Sequence, residues 1–142
     1  MHYAFAVCPG FWKWIDDAHS RQSVFSIKQV RDELMALEDE LSKWVRPRKS
    51  LFCDTNDEAT YESQRLLATW TMDNYQPAAQ ADFLSSADFK LVSYAHSHSH
   101  TVVTHEVFSS GFKVKIPNAC RAFDVPVIST FEMLKVEGAK FT

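Results

Sequence analysis

The spacing of apolar residues predicts a chain in which helices alternate with short buried strands. Apolar side chains recur every three or four residues from Ile27 to Trp44, which predicts one long amphipathic helix ended by Pro47. Further helices are predicted at residues 10–20, after Thr55, from Pro77, from Ser85, at 118–123 and from Ser129. Short apolar runs predict strands at residues 23–26, 51–53, 101–104, 113–116 and 126–129. This alternation favours an α/β fold with a short central parallel sheet flanked by helices.

The length and composition indicate a single domain of ordinary globular protein. The chain has 142 residues, of which 46% are hydrophobic and 23% charged, and no repeat or linker divides residues 1–142. No run approaches the roughly 20 apolar residues of a membrane span, and residues 1–10 lack a signal-peptide layout. The three widely separated cysteines, Cys8, Cys53 and Cys120, indicate no disulfide framework and favour a reducing cytoplasm.

The charge balance argues against a general polyanion binder but leaves local basic patches open. The formal net charge is −3. Arg46, Arg48 and Lys49 follow the predicted long helix and are candidates for RNA contacts, and Lys113 and Lys115 are also candidates for phosphate contacts. Compensation of the helix dipole and solvation of an edge strand explain the same residues without a ligand.

Three acidic residues are candidates for a metal site. Glu106 comes two residues after the strand at 101–104, Asp88 lies in the first turn of the preceding helix, and Glu33 adjoins an apolar helix position. Carboxylates that converge at a strand end suit Mg²⁺ or Mn²⁺, and such ions can promote phosphodiester hydrolysis. Each acid also has an explanation without a metal: Asp88 can stabilise the start of its helix, Glu33 can lie on a solvated helix face, and Glu106 can lie in an exposed loop. Their spacing along the chain does not show that the three belong to one site.

Histidines give a weaker indication of metal chemistry. His96, His98 and His100 share a face only in an extended segment, but they lie where a helix is expected to end. His105, beside Glu106, is the better candidate for a supporting role in the site.

Four segments, taken in order, resemble the PIN domain. They are VFSIKQVRDEL (24–34), SADFKLVSYA (86–95), TVVTHE (101–106) and VPVISTFEML (125–134), and CPGFW also recurs in a PIN-like subfamily. The resemblance implies a three-layer fold and a metal-dependent endoribonuclease, many examples being VapC-type toxins of bacterial toxin–antitoxin pairs. It implies that Glu33, Asp88 and Glu106 hold Mg²⁺ or Mn²⁺, with Thr104 in support, for hydrolysis of RNA by an activated water. An antitoxin protein is the implied partner.

The chain departs from the family pattern at its start. Family members begin with a strand of the type L-x-D-T/S-N whose aspartate binds metal, and nothing here matches it. We therefore expect an N-terminally incomplete domain, with unpaired neighbouring strands that favour a homo-oligomer or a borrowed strand. The alternatives are a catalytically impaired remnant that acts as a protein-binding or regulatory module, and a DNA-directed nuclease.

Overall fold

The computed structural model describes residues 9–137 and has a mixed α/β architecture that is mostly helical. Two compact units make up this part of the chain. The N-terminal unit contains residues 9–54 and 134–137, and the C-terminal unit contains residues 55–133. The expectation of a single domain stays a prediction. Every helix within the described range is too short or too polar to cross a bilayer.

The described residues form both helices and short strands, which confirms a mixed α/β class. The α-helices are α1 (Pro9–Ser20), α2 (Lys28–Ala36), α3 (Glu40–Val45), α4 (Glu58–Asn74), α5 (Pro77–Leu84), α6 (Ala87–His98), α7 (Ile116–Ala122) and α8 (Thr130–Val136). The strands are β1 (Ser26–Ile27), β2 (Phe52–Cys53), β3 (Val102–Val103) and β4 (Val127–Ile128), and a 3-10 helix spans Lys49–Leu51.

The strands between residues 9 and 137 form two separate parallel pairs instead of one central sheet. In the N-terminal unit β1 pairs with β2, and in the C-terminal unit β3 pairs with β4. Val102 lies opposite Val127 and Val103 opposite Ile128. Parallel pairing was expected from the helical connections between strands, but each strand is only two residues long.

The prediction of one long helix from Ile27 to Trp44 is wrong. Helix α2 ends at Ala36, and Glu38 has a φ of 51°, in the left-handed region that a helix interior does not contain. Asp39 then caps α3, because its Oδ1 accepts a hydrogen bond from the backbone N–H of Ser42 at 3.0 Å. The apolar spacing continues across the break, so periodicity alone does not reveal it.

The strand predicted at residues 113–116 is also absent. Residues 113–115 are irregular, and α7 begins at Ile116 with Pro117 in its first turn. Proline suits this position because the N–H groups of the first turn have no partner within the helix. The alternation of Lys113, Val114, Lys115 and Ile116 mimics a strand, although α7 has already begun at Ile116.

The core of the C-terminal unit is built around α4 and α6. One hydrophobic cluster joins these helices to their neighbours: Leu67, Phe83, Phe89, Val92, Ala95, Val102, Ile116, Ala119, Cys120 and Val125. The rings of Phe83 and Phe89 meet edge to face with centroids 5.7 Å apart, which ties α5 to α6. The start of α6 is therefore held firmly beside the end of α5.

The histidine run lies at the end of α6, as predicted. The helix ends at His98, and Ser99 takes a left-handed conformation with a φ of 58°. The Nε2 atom of His98 lies 3.0 Å from Oδ2 of Asp57, the N-cap of α4. The run thus contributes to the junction between α6 and α4.

Asp57 makes the stability of this junction dependent on pH. Its Oδ1 accepts a hydrogen bond from the backbone N–H of Thr60 at 2.7 Å. This bond, with a further contribution from His98 and against some desolvation, lowers the pKa of Asp57 below its usual value. A carboxyl group with a lowered pKa in the folded state stabilises the fold above its unfolded pKa, and this stabilisation is lost as the pH falls through the folded pKa.

We therefore expect the thermal midpoint of Asp57→Asn to lie below that of the wild type at pH 7. The difference should shrink as the pH falls from about 4 through the lowered pKa of folded Asp57, because Asp57 is then progressively protonated and, once neutral, no longer has a charge that asparagine lacks. Thermal unfolding between pH 2.5 and pH 7 measures it. Asp73→Asn, at an exposed position of α4, serves as the control and should show no such trend. A difference for Asp57→Asn that is equal at both ends of the range contradicts the prediction.

Candidate functional site

Asp88 and Glu106 line one cavity in the C-terminal unit. The cavity has a volume of about 240 Å³. Asp88 comes from the first turn of α6, and Glu106 from the loop that follows β3. The complete lining is Ala79, Asp82, Phe83, Ser86, Asp88, Glu106, Lys113, Val114 and Lys115. The structure therefore brings together two of the three carboxylates that the sequence suggested.

Glu106 is held in place through both its backbone and its side chain. Its Oε1 accepts a hydrogen bond from the backbone N–H of Ile116 at 2.8 Å, and its own N–H donates to Oγ1 of Thr104 at 3.1 Å. The N–H of Thr104 in turn donates to the carbonyl of Ile128 at 3.0 Å, which continues the pairing of β3 with β4. Thr104 thus anchors the turn that carries Glu106, while its supporting role in a metal site stays a prediction.

Asp88 is half-buried and lies between two buried residues, Ala87 and Phe89. These neighbours pack into the core, so the backbone at Asp88 has little freedom. A carboxylate in the first turn also interacts favourably with the helix dipole. The N-cap residue Ser86 does not cap the helix with its side chain, since its hydroxyl donates to the carbonyl of Phe83.

Three further charged residues line the cavity. Asp82 lies on α5 and was not identified from the sequence, because only the packing of α5 against α6 brings it near Asp88. Lys113 and Lys115, already candidates for phosphate contacts, come from the irregular segment before α7. The Nζ atom of Lys115 lies 3.9 Å from Oε2 of Glu106. The cavity therefore contains both acidic and basic groups.

His105 is exposed and does not belong to the cavity lining. Its Nε2 lies 3.2 Å from Oγ1 of Thr130, the first residue of α8. The side chain thus links the loop after β3 to the start of α8. Its supporting role in the site stays a prediction.

The remaining predicted residues belong to the N-terminal unit. Glu33 lies exposed on α2. The guanidinium of Arg48 pairs with both carboxylate oxygens of Asp16 at 2.8 Å and lies 4.1 Å from the ring centre of Trp44. Its hydrogen bonds lower the pKa of Asp16. The charge of Arg48 is thus already balanced within this unit, whereas Arg46 and Lys49 are exposed.

The donor chemistry of the cavity fits a hard divalent cation. Carboxylate and hydroxyl oxygens are the ligands that Mg²⁺ and Mn²⁺ prefer, and Asp82, Ser86, Asp88 and Glu106 supply them. Across residues 9–137, no group of three or more histidine, cysteine or acidic side chains is close enough together to hold a metal ion. The cavity therefore offers the type of ligand that these ions prefer, but the described residues do not bring three such side chains close enough together to hold an ion.

Cysteine chemistry finds no support at Cys120. This residue lines a second cavity of about 520 Å³ in the C-terminal unit, formed mainly by apolar side chains. Burial raises the pKa of the Cys120 thiol to about 12, so it remains protonated and a poor nucleophile at neutral pH. Cys53 is also a free thiol, and Cys8 lies outside the described residues.

Comparison with known proteins gives one family match. The family model described as Domain of unknown function (DUF4411) matches residues 1–141. Neither the curated proteins nor the solved structures contain a match to the chain.

Proposed function

We propose that this chain, which belongs to the DUF4411 family, is a metal-dependent endoribonuclease of the PIN type. The observation that carries the proposal is that Asp88 and Glu106 line the same cavity. They come from separate elements of the C-terminal unit. The ordered motifs that resemble the PIN domain support the same reaction. From that resemblance, the proposal includes the three-layer fold, the toxin role and an antitoxin-like partner.

The residues of the cavity have distinct tasks in this proposal. Asp88 and Glu106 would hold Mg²⁺ or Mn²⁺. The backbone N–H of Ile116 donates to Oε1 of Glu106, which fixes this carboxylate at the cavity. When bound, the ion supplies charge stabilisation and lowers the pKa of water for attack on a phosphodiester.

Cleavage of a labelled structured RNA tests this function. We expect the purified chain to cleave the RNA with Mn²⁺ or Mg²⁺ and to lose this activity in EDTA. Asp88→Asn should also lose most of the activity, because the amide removes the negative charge while it keeps the shape of the side chain. Gel analysis of the products over time measures the rate.

Asp73→Asn is the matched control for this assay. It makes the same chemical change at an exposed position of α4 that is not part of the cavity. Its cleavage rate should equal that of the wild type. If Asp88→Asn cleaves as fast as the wild type, the activity does not come from this cavity and the proposal is wrong.

A second candidate function is that of a protein-binding module without catalytic activity. The observation in its favour is the exposure of large apolar side chains after β3: Val107 is 76% exposed, Phe108 54% and Phe112 59%. Such side chains, when grouped, often mark protein interfaces. A folded chain that shows no metal-dependent cleavage under any of the conditions above favours this second candidate.

A further inference from the structure

Acidic and basic groups lie on different elements around the cavity of the C-terminal unit. Asp82, Asp88 and Glu106 come from α5, α6 and the loop after β3. Lys113 and Lys115 come from the segment before α7. Three carboxylates and two ammonium groups therefore line the same cavity. This arrangement suits a ligand that carries negative charge and also contacts a metal ion, as a phosphodiester does.

Both lysines line the cavity directly. Lys115 has an extended conformation, with φ −99° and ψ 148°. Val114 between them also lines the cavity and packs against the hydrophobic core, which fixes the segment at this place. The hydrogen bond from the N–H of Ile116 to Glu106 ties this segment to the acidic group. The lysines are thus presented beside the carboxylates by a fixed contact.

The lysines are also available to a ligand. Lys113 is exposed, and the Nζ atom of Lys115 lies 3.9 Å from Glu106, beyond direct hydrogen-bond distance. Because both members of this pair are partly solvated, the interaction contributes little to stability. Lys115 can therefore turn to a phosphate oxygen at small cost.

From these contacts we infer that Lys113 and Lys115 form a phosphate-binding wall that holds the backbone of single-stranded RNA against the carboxylates. The inference deepens the ribonuclease proposed above and rests on it. A lysine ammonium acts on phosphate as a point charge without reading the bases, so the wall positions the strand and does not select a sequence.

Binding of a short strand that cannot be cleaved tests the wall. The probe is a fluorescein-labelled octanucleotide with 2′-O-methyl sugars, in EDTA, and anisotropy is measured from 50 mM to 1 M NaCl. Each substitution, Lys113→Gln or Lys115→Gln, should reduce the salt slope of log K by about 0.7. If the variants and the wild type bind equally at 1 M NaCl, this change in slope makes binding at 50 mM NaCl about 8-fold weaker for one substitution and about 65-fold weaker for both.

Lys90→Gln is the matched control within the same unit. The Nζ atom of Lys90 lies 3.1 Å from the side chain of Gln64, and the residue is absent from the cavity lining. Its salt slope should equal that of the wild type, whereas Lys113→Arg and Lys115→Arg should restore the slopes that the glutamine variants lose. Circular dichroism checks that each variant is folded.

Two results overturn the inference: no measurable binding by the wild type, or a double glutamine variant with wild-type affinity and slope. If the wild type also cleaves RNA in that case, the ribonuclease stands and only the wall is wrong. If the lysine variants lose binding while no variant or wild type cleaves RNA, the wall stands and the proposed catalysis is wrong.

Discussion

Glu106→Gln is expected to reduce metal-dependent RNA cleavage by at least about 100-fold, since the loss of groups that merely orient a metal ligand already costs 10–100-fold. Glutamine is the informative substitution because its side-chain oxygen can still accept the hydrogen bond from Ile116. The fold of the loop should therefore be kept, while the negative charge that attracts the ion is lost. The measurement is kcat/KM on a labelled RNA over a range of Mn²⁺ concentrations.

Two further variants separate the loss of the Glu106 charge from a general effect of a Glu→Gln change and from a loss of structure. Glu58→Gln makes the same change at an exposed position in the first turn of α4 and should cleave like the wild type. Glu106→Ala removes both the charge and the hydrogen bond, so it should lose activity and also thermal stability. Wild-type kcat/KM for Glu106→Gln would contradict the role of this carboxylate.

Leu67→Ala is expected to lower the free energy of unfolding by about 2–5 kcal/mol, which is the usual range for a buried leucine. Leu67 is 2% exposed and belongs to the hydrophobic cluster of the C-terminal unit. Its removal leaves a cavity between α4 and its neighbours, and these helices cannot close it without losing other contacts. Urea unfolding followed by circular dichroism measures the change.

The adjacent residue offers a matched control. Leu66 has the same side chain on the same helix but is 40% exposed. Leu66→Ala should change the free energy of unfolding by no more than about 0.5 kcal/mol. Equal effects of the two substitutions would show that the cluster around Leu67 is not the core of this unit.

Most elements of the fold could be predicted from local signals. The helix at residues 10–20 is present as α1 and the helix from Pro77 as α5, because apolar spacing and an N-terminal proline act within one turn. The helix predicted from Ser129 is present as α8, and Ser129 and Glu132 cap its start through reciprocal hydrogen bonds. The helix predicted after Thr55 is present as α4, which begins at Glu58 and is capped by Asp57, whose side chain accepts a hydrogen bond from the N–H of Thr60.

The two wrong predictions of secondary structure concern segments whose local pattern is compatible with two different structures. The apolar spacing from Ile27 to Trp44 fits either one helix or two consecutive helices. The structure has two, because Glu38 has a left-handed conformation and Asp39 caps a new helix. The alternation at 113–116 fits a strand or an extended approach to a helix. The segment runs into α7 at Ile116, whose N–H bonds the side chain of Glu106, ten residues earlier in the chain.

For the candidate site, the sequence by itself determined the residue types and their places on elements: Asp88 opens a helix and Glu106 follows a strand. These depend on interactions within a few residues, so they can be read along the chain. Only the tertiary structure decided that both line one cavity, that Asp82 joins them, and that the lysines share the same space. Those facts depend on how α5 packs on α6 and on the bond between Ile116 and Glu106, which link residues that spacing along the chain cannot relate.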